Sequence, residues 1–209
     1  MTVASPRLAS LARPAPPPAV AAEARCELCG GMLPDGHRHV ADVEARTLLC
    51  ACRGCAILLA RPGAGGRHFR LVPERVVRLD GFRLADEQWT SLQIPVELAF
   101  FFRSTPAARV VAFYPSPLGA TESQLELEAW ETLEGENEIL RRLEPDVEAL
   151  LVNRARGAHE HLIVPIDRCY ELVALIRARW RGLNGGDEVW DEIAQFFERL
   201  RAQARTEAE

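Results

Sequence analysis

The chain has 209 residues, 48% hydrophobic and 26% charged, with a formal net charge of −5. That length builds a sizeable core without disulfides, no apolar run reaches the ~18 residues of a membrane span, and the proline-broken N-terminus lacks the apolar stretch of a secretory signal. The acidic balance argues against a surface that grips nucleic acid throughout, and the expected location is cytoplasmic.

Residues 1–25 are rich in Ala and Pro, and the run from Pro14 to Pro18 fits neither helix nor ladder strand. They read as a disordered tail, with a Pro-rich docking tail as the alternative. Residues 26–62 read as a small module. The stretch 26–60 holds five of the six cysteines and no Phe, Trp or Tyr, and a segment so poor in core residues needs a metal or disulfides to fold. A weak strand over 46–51 precedes the last cysteines, an apolar stretch over 56–60 follows them, and Gly63, Gly65 and Gly66 mark a break.

Residues 68–204 read as an α+β domain. Short strands are expected over 68–72 and 75–79. Leu92, Ile94, Val96, Leu98, Phe100 and Phe102 fall at even spacing, a strand signature over 89–102 that Pro95 interrupts. A buried strand is expected over 109–114. Over 122–150 ten acidic residues face only Arg141 and Arg142; alternation at Leu125, Leu127 and Ala129 sets strand against helix, and one or two helical turns are expected over 137–143. A strand over 147–152 follows. Another over 162–166 enters a helix for which Asp167 is the expected N-cap and Gly182 the stop. After the Gly185-Gly186 turn, Asp187 is expected to cap a last helix with Val189, Trp190, Ile193, Phe196, Phe197 and Leu200 on one stripe. The expected fold class is therefore α+β: a small N-terminal zinc-ribbon module, then a mixed strand and helix domain ending in two amphipathic helices.

The chemistry lies in Cys26-x2-Cys29 and, twenty residues on, Cys50-x-Cys52-x2-Cys55. Two Cys-x-x-Cys knuckles at this separation present four sulfurs to a tetrahedral Zn²⁺. The expected ligands are Cys26, Cys29, Cys52 and Cys55, with Gly30 and Gly54 permitting the turns. Disulfides are the weaker reading in a reducing cytosol. Iron in a rubredoxin-like site ranks below zinc because no aromatics surround the sulfurs. An iron–sulfur cluster ranks there too, although Cys50 makes a fifth thiol available. Cys50 is either a buried thiol behind the site or an extra ligand, and Cys169 reads as core.

His37 and His39, between the cysteine pairs, are candidate extra ligands. Their setting partly resembles the His-Asn-His endonucleases. That pattern wants an acidic or His residue before its catalytic His and a further Asn or His after the last Cys. Here Gly36 and Arg38 precede the histidines, and Ala56-Ile57-Leu58-Leu59 follows Cys55, so the catalytic set is incomplete. The alternative is an exposed loop. His159 and His161 could share a strand face suited to a metal, against a plain solvated strand entry. Residues 26–85 carry nine Arg and six acids, a modest basic excess that could touch phosphate but has no aromatic platform in the knuckle region.

Taken together, Cys26-Glu27-Leu28-Cys29-Gly30, His37-Arg38-His39, Leu48-Leu49-Cys50-Ala51-Cys52-Arg53-Gly54-Cys55-Ala56 and Val164-Pro165-Ile166-Asp167-Arg168-Cys169-Tyr170-Glu171-Leu172 are similar to an uncharacterised bacterial family. It is a domain of unknown function associated with gene clusters for nickel–iron uptake hydrogenases. The resemblance spans roughly residues 25–200 and implies an accessory role in assembly, stability or docking, with hydrogenase subunits or maturation factors as partners. The expected function is a non-enzymatic zinc-binding accessory protein. A nucleic-acid-binding zinc ribbon is the alternative and an incomplete His-Asn-His nuclease the enzymatic outsider. The expected docking surface is the exit from the ribbon, with Leu58 and Leu59 as its contact residues.

Overall fold

A computed structural model describes residues 24–207 except 62, 65, 67, 183 and 184. The expected tail, apart from Ala24 and Arg25, and Gly65 of the expected break lie outside the described residues. The fold is mixed α and β, with two sheets.

The N-terminal module is built on the antiparallel hairpin β1 (Arg38–Asp42) and β2 (Thr47–Ala51). The hairpin runs straight into the short helix α1 (Arg53–Leu59). The third strand, β3 (Phe69–Leu71), pairs antiparallel with the other edge of β1, so the module's sheet takes residues from beyond the break at 63–66. The apolar stretch over 56–60 is largely the second half of α1.

The second sheet has seven strands: β4 (Val77–Leu79), β5 (Leu98–Ser104), β6 (Arg109–Ser116), β7 (Gly119–Ser123), β8 (Glu148–Asn153), β9 (Glu160–Pro165) and β10 (Arg205–Glu207). Their order is β10-β4-β9-β8-β5-β6-β7. All neighbours are antiparallel except β10, which runs parallel to β4. An antiparallel sheet commonly wets one face; this one is covered on both. Helices α4 (Ile166–Arg179) and α5 (Asp187–Gln203) pack Leu172, Ile176, Ile193, Phe196 and Phe197 against Phe100, Leu151 and Val164. On the other face, α2 (Asp86–Ser91) and α3 (Leu127–Glu136) bring Trp89, Trp130 and Leu133 onto Ala99, Phe101 and Leu150. Every residue of β8 is consequently buried, and its sequence reads as a run, not an alternation.

The strand expected from even spacing fails at its start, because a short alternation does not compete with helix-end chemistry. The strand expected over 89–102 begins only at Leu98. Asp86 and Glu87 stand in the first turn of α2, where carboxylates offset the helix dipole, and the Gln88 side chain accepts the Ala85 N–H at 2.8 Å. The even spacing of Leu92 and Ile94 comes from a turn through Gln93, whose φ is +57°. Over 127–136, where strand and helix both stood open, helix wins, because Trp130 and Leu133, three apart, bury one helical face against the sheet. Asp167 is not an N-cap. Pro165 holds that position without a side-chain bond, and the Asp167 carboxylate is used elsewhere. Gly182 does not stop α4, which ends at Arg179, and Gly186 takes the cap position expected of Asp187.

The module and the large sheet share a core. Ala41 and Val72 belong to the same buried cluster as Phe100 and Leu172, and Leu48 packs against it. Arg70 reaches Asp146 at 3.4 Å. A module without aromatics in its first 35 residues thus borrows apolar burial from its neighbour. No helix among the described residues is long and apolar enough to cross a membrane.

Candidate metal centre

The first knuckle turns at Cys26–Cys29. Gly30 N–H donates back to the Cys26 carbonyl at 2.8 Å with φ +73°, a conformation only glycine takes cheaply. The second knuckle is a helix start. Cys52 is the N-cap of α1 and Cys55 lies in its first turn, where the Ala56 N–H bonds the Cys52 carbonyl at 2.9 Å. Gly54, expected to permit a sharp turn, sits in regular helix and not at positive φ. The helix supplies the geometry that the glycine was expected to supply.

These two turns bring the sulfurs of Cys26, Cys29, Cys52 and Cys55 within 4.8 Å of one another, and Cys29 Sγ lies 3.7 Å from Cys52 Sγ. All are thiols, not disulfides. Their protonation is split. Burial acts to raise the Cys26 thiol, but backbone N–H groups of Cys52, Leu28 and Cys29 and the Cys29 side chain outweigh it and hold it at about 6. Hydrogen bonding to Cys29, then burial and the other thiols, pushes Cys55 up to about 12. Four sulfurs this close cannot all ionise without a cation among them, and the set can hold a metal ion.

Cys50 stands apart from that set. Its ligand atom groups with those of His37 and His39, again within 4.8 Å. Register explains the meeting, because His39 is paired directly with Cys50 across β1 and β2. The histidines are thus not in an exposed loop: both are half-buried, with ring centroids 5.0 Å apart at 72°. Burial, then the neighbouring Glu27 carboxylate, raises the Cys50 thiol above its ordinary range. Glu27 also accepts the Cys50 N–H at 2.6 Å. Asp167 completes the cluster, with Oδ2 2.8 Å from Nδ1 of His39. Neither Glu27 nor Asp167 was singled out from sequence as a partner of these groups. The separation of 128 positions between His39 and Asp167 leaves no local signal of their contact.

His159 and His161 do not join a metal-ligand group among the described residues. His161 is not solvated either. It stacks on Phe82 at 4.8 Å, and burial, then Arg154 and His159, pushes it down to about 4. Cys169 is fully buried in the core, as expected. Leu58 is 64% exposed and Ile57 57%, whereas Leu59 is half-buried.

Fold and site together define an α+β protein carrying a four-cysteine metal-ligand cluster on a module fused to a sheet covered on both faces. Residues 25–204 match the model of a family of unknown function, DUF5947, and the chain belongs to that family. No curated protein and no solved structure matches it.

Proposed function

We propose that this is a non-enzymatic accessory protein of the cytoplasm that holds zinc in a structural zinc-ribbon site and works by docking onto a protein partner. The observation that carries the reading is the closed four-thiolate set beside an exposed apolar surface. Tetrahedral Zn–S bonds of ~2.3 Å imply an S···S edge of about 3.8 Å, and the 3.7 Å between Cys29 and Cys52 fits a tetrahedral four-thiolate site of that size. Four thiolates fill the coordination sphere and leave no position for substrate or water. Met32, Ile57 and Leu58 account for three of the five large apolar side chains exposed among the described residues, and all three lie on the module. Apolar side chains left exposed on the module are what a protein contact would cover.

The arginines weigh against the nucleic-acid alternative. Arg38, Arg70, Arg75 and Arg78 are paired with Glu74, Asp146, Glu148 and Asp80, which breaks up the basic face that phosphate binding needs. A nickel–iron hydrogenase, through its subunits or maturation factors, is the partner implied by the resemblance of the cysteine block and the 164–172 string. Affinity purification of the tagged protein from its native host tests the reading. It predicts co-purified metalloenzyme components. Co-purified nucleic acid alone, released steeply by salt, would replace it with the alternative.

A further inference from the structure

Cys50, His37 and His39 take no part in the four-thiolate centre, yet strand geometry gathers them. His37, just before β1, brings its ring within 5.0 Å of that of His39, and the register sets Cys50 opposite His39. Two further observations point to a ligand there. Nε2 of His37 is buried and has no hydrogen-bond partner, an arrangement that costs about 1–3 kcal/mol when nothing answers it. Nδ1 of His39 is engaged by Asp167 at 2.8 Å. That contact places the proton on Nδ1, leaves Nε2 to coordinate, and is the carboxylate support that metal-bound imidazoles ordinarily have.

We infer that His37, His39 and Cys50 form a second metal site, separate from the four-thiolate centre, for one divalent transition-metal ion of borderline softness such as Zn²⁺ or Co²⁺. Two imidazoles and a thiolate supply three ligands and leave a tetrahedral ion one position. His37, His39 and Asp167, with Val72, Glu74 and Arg168, also line a cavity of about 250 Å³, through which water or an external donor reaches the site. The first centre is closed and holds the module together; the second is open and exchanges its ion. Asp167 is a positioning residue. It stands in the first turn of α4 and ties the ligand set to the large domain. The inference is independent of the docking role and of which metal occupies the four thiolates.

The test uses the full chain, stripped with a mild chelator and then dialysed against excess Zn²⁺. Metal analysis should give about one zinc per chain after stripping and about two after dialysis. His37→Ala and Cys50→Ser should each return the dialysed protein to about one, with an unchanged circular dichroism spectrum. Asp167→Asn should keep the second ion but weaken its binding ~10–100-fold. Co²⁺ titration, read by ligand-field absorption, should show a nitrogen-rich site that disappears in the same variants. If Cys50→Ser unfolds the module, His37→Ala, which lies before β1, decides the matter. Wild type taking up no second ion, or a second ion held equally by all three variants, would overturn the proposal.

Discussion

His39 and Asp167 meet at 2.8 Å across 128 residues of sequence. The contact joins the centre of the module's sheet to the start of α4, and with the shared core around Ala41 and Val72 it makes the cysteine module part of the larger domain.

The two clusters separate the roles of neighbouring cysteines. Cys52→Ala should lose the tightly held ion and unfold the module, because it removes one of four thiolates and leaves three close sulfurs uncompensated. Cys50→Ala should keep that ion, since its sulfur belongs with the histidines, and should cost about 1 kcal/mol in lost packing. Metal content after mild chelation, measured beside thermal unfolding, checks both. Equal loss of the tight ion in both variants would show that the ligand set is misassigned.

The exposure of α1 sharpens the docking surface. Ile57 and Leu58 are exposed and Leu59 is half-buried. The Ile57→Ser, Leu58→Ser double variant should therefore retain its zinc and its stability to within about 0.5 kcal/mol per site, yet recover less partner from native-host lysate. Leu59→Ser should lose stability as well. Undiminished partner recovery by the double variant would move the contact to another face.

His161 supplies a pH dependence. Its folded value is held at about 4, below the ordinary 6.5, so between those values the unfolded chain binds a proton that the folded chain refuses. Stability is full above pH 6.5 and falls as pH drops toward 4, by up to about 3 kcal/mol. Denaturant unfolding across pH 4–8 should show this slope in the wild type and a shallower one in His161→Phe. Parallel profiles would assign the slope to other groups.

Glu148 is 1% exposed in the middle of the molecule and receives two hydrogen bonds from Arg75, at 2.5 and 2.9 Å, and one from the Glu144 N–H at 3.0 Å. Arg75→Ala should cost about 2–3 kcal/mol, since it strands a buried carboxylate, moderated by the half-exposed arginine. Adding Glu148→Met should recover part of that loss. A single variant as stable as wild type would mean that water solvates Glu148 unaided.

The gathering of Cys26, Cys29, Cys52 and Cys55 was legible because Cys-x-x-Cys spacing is a local property that two turns reproduce anywhere. The final amphipathic stripe was legible for the same reason: Val189, Ile193, Phe196, Phe197 and Leu200 are buried in α5, and Trp190 is half-buried against the same core. What escaped was non-local or set by helix ends. Trp89 became helical because carboxylates begin α2 and a sheet face waited to be covered. Cys50 met His39 only through the hairpin register, and Asp167 met His39 only once α4 had packed against the sheet. Its position after a strand, Asp167 at the start of a helix, read naturally as a cap, and the cap reading hid the contact.

Cys26, Cys29, Cys52 and Cys55 are proposed to hold one zinc ion. X-ray absorption at the zinc edge, on chelator-washed protein containing about one zinc per chain, tests it most directly. A shell of four sulfurs at about 2.3 Å is expected. Iron–thiolate absorption in place of zinc, or a shell with two or more nitrogen ligands after the wash, would contradict it.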